Sequence, residues 1–162
     1  MRIDKIVIQL FNYLLMKKII ITAILILFPF SSFALNFNQN ITKYMVNNTG
    51  ATSDIYIFNR CSGVAGYLYS MLNREPGKEN TANIYLRVST LMTDRAAMLY
   101  SKHSKVNYNK SIDENMKRAA KMTRLYAEDA KEMFYKNGSY ISGIVKDDLN
   151  FCIGLEKELR KK

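Results

Sequence analysis

Beyond residue 53, apolar side chains recur at helical spacing in four stretches separated by polar breaks. In the first, Ile57, Phe58, Cys61, Val64, Ala65, Leu68, Met71 and Leu72 fall on one helical face. Ser53 or Asp54 can cap its start. Ser62, Gly63 and Gly66 form a small-residue patch where another backbone could come close. Asn73 to Asn80, containing Pro76-Gly77, reads as a turn. A second helix opens near Thr81, with Ile84, Val88, Leu91, Met92, Ala96 and Leu99 inward and Arg95 on or beside the stripe. Ser101 to Lys110 is a polar link.

Ser111-Ile112-Asp113-Glu114 is a capping-box pattern. The third helix that follows would face its neighbours with Ile112, Met116, Ala119, Ala120, Thr123, Tyr126, Ala127, Ala130, Met133 and Phe134. Asn137-Gly138-Ser139 ends it, with Gly138 suited to a left-handed terminal position. The last helix spans about Tyr140 to Leu159, with Ile141, Val145, Leu149, Cys152, Leu155 and Leu159 inward. No strand alternation appears. The expected fold is all-α, an up-down four-helix bundle over residues 54–162. Residues 35–53 are Asn-rich and read as an irregular N-terminal arm, from which Ile41, Tyr44, Met45 and Val46 could dock.

Ahead of the arm lies a different pattern. Met16-Lys17-Lys18 precedes an apolar run, Ile19 to Phe30, and then Ser31-Ser32-Phe33-Ala34. That is the layout of a signal peptide, with Ser32 and Ala34 at the −3 and −1 positions of a cleavage site. The run is shorter than the roughly 20 residues a membrane span needs. Residues 1–34 are therefore read as a leader, its true start at either Met1 or Met16. The working protein begins at Leu35, is periplasmic or secreted, and is long enough for one core.

Export changes how the cysteines read. Cys61 and Cys152 are an even pair in an oxidising compartment, which implies one disulfide. It would staple the first and last of the four helices. A loop of about 90 residues gives roughly 4–5 kcal/mol in the chain-entropy model. A redox pair would more usually be spaced Cys-x-x-Cys.

The chain holds 24 Lys and Arg against 14 Asp and Glu, a net charge of +10. That favours anionic partners: lipid head groups, envelope phosphates or an acidic protein. Nucleic acid fits less well, because an export compartment contains little of it. Lys117, Arg118, Lys121 and Arg124 recur along the third helix as a possible anion-binding stripe, and Lys157, Arg160, Lys161 and Lys162 form a basic tail. Asp148 lies one turn before Cys152 and leans inward, where Arg95 or Arg60 could pair with it. A hydrolytic dyad would need a second carboxylate opposite Asp148, and none is evident. His103 is the single histidine and sits in the polar link, which suits neither a triad nor a metal site. No Cys-x-x-Cys-His occurs, so covalent haem attachment is excluded by pattern. No catalytic residue, metal or other cofactor is assigned. The tyrosines, Tyr56, Tyr67 and Tyr69 among them, either cover helix edges or form a binding surface.

Arg60-Cys61 in the first helix, with Asp148-x-x-x-Cys152 in the last, resembles a layout found in small exported bacterial helical proteins with one cysteine in each terminal helix. The chain is also similar to the periplasmic immunity proteins that neutralise type VI secreted amidases. That resemblance implies a protein partner and transfers no site residue. The expected function is an exported, non-enzymatic helical domain that binds a protein or an anionic envelope component. One alternative is a small periplasmic enzyme or ligand carrier with a site near Asp148 and Arg95. Others are an immunity protein against an envelope hydrolase and a membrane-surface protein.

Overall fold

The central helix is buried on nearly every side, and the rest of the chain is arranged around it. A computed structural model describes residues 37–161. The leader lies outside the described residues. Five helices follow one another: α1 (Ile41–Asn47), α2 (Ala51–Leu72), α3 (Glu79–Ser104), α4 (Tyr108–Asn137) and α5 (Gly143–Arg160). The described residues contain no strand, and they form a helical bundle. Helix α2 packs against each of the other four, and α3 also packs on α4.

The sequence pattern gives α2 one apolar face, but its burial extends further round the helix. Every residue from Asn59 to Ala65 is buried. Around the helix axis those residues point in all directions, so α2 needs a neighbour on each side. Its glycines let one of those neighbours, α4, come close. A Cβ on Gly63 would lie 2.2 Å from the Cβ of Met122, and one on Gly66 would lie 2.7 Å from Thr123 Oγ1. Both contacts are to α4, so the backbone that comes close to the small-residue patch is that of α4. Thr123 Oγ1 also donates to the Gly63 carbonyl at 3.2 Å.

The arm is more ordered than its composition suggests. Asn40 caps α1, accepting the Lys43 N–H at 3.0 Å. The helix is short because Asn48 and Gly50 follow, Gly50 with φ +89°. The next helix then opens at Ala51 without a side-chain cap, and Ser53 instead donates to the Asn48 carbonyl.

Two further differences concern α3 and α4. The polar link is largely helical: α3 runs through His103, which is exposed in its last turn beside Lys102. Lys105, at φ 54°, makes the reversal. Asn107 then caps α4 by accepting from Asn109 N–H, so Ser111 lies inside the helix and the capping box is not used. The inner face of α4 is also rotated from the expected stripe. Ser111, Asn115, Ala119, Met122, Tyr126 and Ala130 are buried, whereas Met116 is 58% exposed. Polar Asn115 can face inward because Asn59 of α2 meets it, Nδ2 to Oδ1 at 2.7 Å.

At its far end α4 closes as the sequence indicates. Gly138 has φ +74° and returns its N–H to Phe134. Helix α5 begins later than expected, with Ser142 as its cap. Cys61 of α2 and Cys152 of α5 form a disulfide, Cα to Cα 5.4 Å. No described helix is long and apolar enough to cross a membrane.

Candidate functional site

One turn of α5 from the disulfide lies a buried charged cluster. Asp148 precedes Cys152 by four residues, so both side chains leave the same face of α5. Arg60 and Cys61 are adjacent on α2. The disulfide thus holds α2 and α5 at the distance their charges need. Arg60 Nη2 lies 2.7 Å from Asp148 Oδ2, and both side chains are fully buried, 0% exposed. Arg60 Nε donates to the same oxygen at 2.8 Å and to the Tyr126 hydroxyl at 3.1 Å. Tyr126, from α4, donates in turn to Asp148 Oδ2 at 2.5 Å. Tyr56, one turn before Arg60, accepts from Nη1 at 3.2 Å.

The second carboxylate oxygen is also used. Asp148 Oδ1 accepts the Ile41 N–H at 2.7 Å. That N–H belongs to the first residue of α1, where no intrahelical acceptor exists. Beside it, Asn40 Nδ2 donates to Asp147 Oδ2 at 2.9 Å. Aromatic rings close the cluster from above. The Phe37 ring lies 5.0 Å from the Arg60 guanidinium carbon and 4.8 Å, edge to face, from the Tyr126 ring. The Tyr44 ring lies 4.3 Å from that of Tyr56.

The electrostatics follow from burial. Removal from water pushes the Asp148 carboxyl above the usual carboxylate range, and Arg60, Tyr126 and the Ile41 N–H pull it back only in part. Burial also raises the Tyr126 hydroxyl well above its ordinary value. Burial works to lower the Arg60 guanidinium, but Tyr126, Asp148 and Tyr56 outweigh it, and it holds its proton more tightly than usual. The cluster is therefore a closed network that fixes four helices together. A buried pair with one partner removed costs about 3–5 kcal/mol.

Of the sequence candidates, the structure brings Arg60, Asp148, Cys61 and Cys152 together. Arg95 stands apart. It forms no ion pair among the described residues, and its Nη1 lies 4.0 Å from Met98 Sδ. Arg95 sits on α3, whereas the cluster draws on α1, α2, α4 and α5. Tyr67 is buried and bonded to the Tyr140 carbonyl at 2.9 Å, so it belongs to the interior and not to a binding surface. Of the remaining members, the sequence offers Ile41 only as an arm residue that could dock and Tyr126 only as a hydroxyl on an inward stripe that must find a partner, and it gives no sign of Phe37.

Lys117, Arg118, Lys121 and Arg124 are all exposed on α4. The Arg118 guanidinium rests 4.6 Å from the Tyr100 ring of α3. None of the four forms an ion pair among the described residues. No group of three or more metal-binding side chains occurs there either. Comparison with protein families, with characterised proteins and with solved structures finds no match.

Proposed function

We propose that the protein is an exported, non-enzymatic helical domain that binds a protein or an anionic component of the cell envelope. In this reading α2 to α5 run as an up-down four-helix bundle, and the leader directs the chain to the periplasm or the exterior. The observation that carries the reading is the contrast in cation use. Arg60 is sealed inside the fold with Asp148. Lys117, Arg118, Lys121 and Arg124 are presented to solvent on one helix and form no ion pair among the described residues. A solvent-facing stripe of this kind attracts anions over about a Debye length, roughly 8–10 Å at moderate salt.

The test is capture from envelope extract. The oxidised protein and a Lys117→Glu/Lys121→Glu/Arg124→Glu variant are immobilised side by side at low and moderate salt. The expected result is one retained component that the variant loses. A single protein kept at both salts indicates a specific module, and an envelope amidase indicates immunity. Equal retention by the variant would remove the α4 stripe from the reading, and no retention by the wild type would remove the reading itself.

A further inference from the structure

We infer that residues 37–47 are a detachable strap, and that the floor beneath them is a receptor for a partner protein's segment with the same pattern: an aromatic residue, an aliphatic one four positions on, and an aromatic one three further. The strap itself is the template. Phe37 covers Arg60 and Tyr126, Ile41 is fully buried with its N–H on Asp148, and Tyr44 covers Tyr56. Those three positions share one side of the arm.

Three features make the strap separable. Its helix has seven residues and only Ile41 is buried in it, and a helix that short is not stable by itself. Its link to α2 contains Gly50, exposed and at φ +89°. The floor keeps its crosslink when the strap is lifted, because Cys61–Cys152 joins α2 to α5 next to Arg60 and Asp148.

Lifting the strap has a definite chemical consequence. Asp148 Oδ1 loses its N–H donor, and Arg60 loses one of its aromatic faces. Both needs are met again by a helical segment that brings a first-turn N–H and an aromatic side chain. An amphipathic helix in a groove is a common mode of peptide recognition. The inference concerns a different face from the α4 stripe, so either can fail without the other.

The test uses a fluorescent peptide of residues 36–48 and the intact, oxidised protein. The peptide should bind weakly and saturably to the wild type. It should bind about tenfold more tightly to Phe37→Ala and to Tyr44→Ala proteins, because the open fraction sets the apparent affinity. A peptide carrying Ile41→Asp should not bind. Hydrogen exchange on the wild type should show the Ile41 amide opening more often than the core amides of α2. The inference is overturned if the peptide binds none of the proteins, if neither strap variant changes its affinity, or if the Ile41 amide exchanges only together with α2.

Discussion

The two sides of α2 are held by opposite chemistry. Toward α5 it offers Arg60 and Cys61, which make a buried ion pair and a disulfide. Toward α3 and α4 it offers Asn59, Ser62, Gly63 and Gly66, which make neutral hydrogen bonds and close backbone contact. Ser62 Oγ alone meets Ser89 Oγ at 2.9 Å and Thr93 Oγ1 at 2.7 Å. The neutral side joins long helices through extended, close packing. The charged side joins a shorter helix and a seven-residue one, so each contact there must supply more. Crosslinks and charges sit where packing area is small.

The largest effect should come from breaking the charged side. Asp148→Ala leaves Arg60 buried beside two tyrosines and should cost about 3–5 kcal/mol in denaturant unfolding. Arg60→Met combined with Asp148→Leu should recover much of that loss, since an apolar pair avoids the desolvation penalty. A double variant as unstable as Asp148→Ala would mean that the hydrogen bonds to Tyr126 and Ile41, and not charge balance, dominate. Cys61→Ser comes next, at roughly 2–5 kcal/mol. The melting point of the wild type should fall with reductant to near that of the variant. A melting point indifferent to both would show that packing alone holds α5 in place.

On the neutral side, Gly63→Ala should cost about 1–3 kcal/mol by overpacking. The added methyl meets the Cβ of Met122 and, at 3.0 Å, the Met122 carbonyl carbon and the Thr123 nitrogen. Backbone cannot step aside as a long side chain can, so α4 must move as a whole. Met122→Gly removes the Cβ that the added methyl meets, so the two changes should cost less together than the sum of each alone, which a double-mutant cycle measures. Independent, additive losses would show that α2 and α4 do not touch here in solution.

This division also marks how far sequence reasoning reached. The small patch at Ser62, Gly63 and Gly66 was legible because glycine has a local meaning wherever it sits on a helix face. The Cys61–Cys152 pair was legible from an even count. Asp148 is legible as an inward carboxylate, but the pattern does not choose between Arg95 and Arg60 as its partner. Only tertiary structure decides between two arginines on different helices. The inner face of α4 was misplaced because periodicity weighs apolar residues, and Ser111 and Asn115 are polar yet buried. Asn115 is met by Asn59 across the interface, which no local pattern reports. The arm reads as irregular in sequence because seven residues are too few for a helical period to show.

The smallest effect separates the two sides by pH. Tyr126 lies on the charged side, and burial holds its hydroxyl well above the ordinary tyrosine value in the folded state. In the unfolded chain it titrates near 10. Above about pH 10 the unfolded state has lost this proton and the folded state has kept it, so stability falls as pH rises. The stabilising contribution is complete below the unfolded value and is lost on the way up, at a limit of about 1.4 kcal/mol per pH unit for one proton. Tyr126→Phe removes the titration together with the hydrogen bond to Asp148. Near neutrality the variant should be less stable by about 1.5–3 kcal/mol, for a bond to a charged group. Between pH 9 and 11 the gap should narrow, because the wild type alone pays for the proton at this position. Gly63→Ala, on the neutral side, should keep a constant gap over the same range. A gap that widens for Tyr126→Phe would mean that this hydroxyl ionises more readily in the fold than in the unfolded chain, and that Arg60 and not burial governs the cluster.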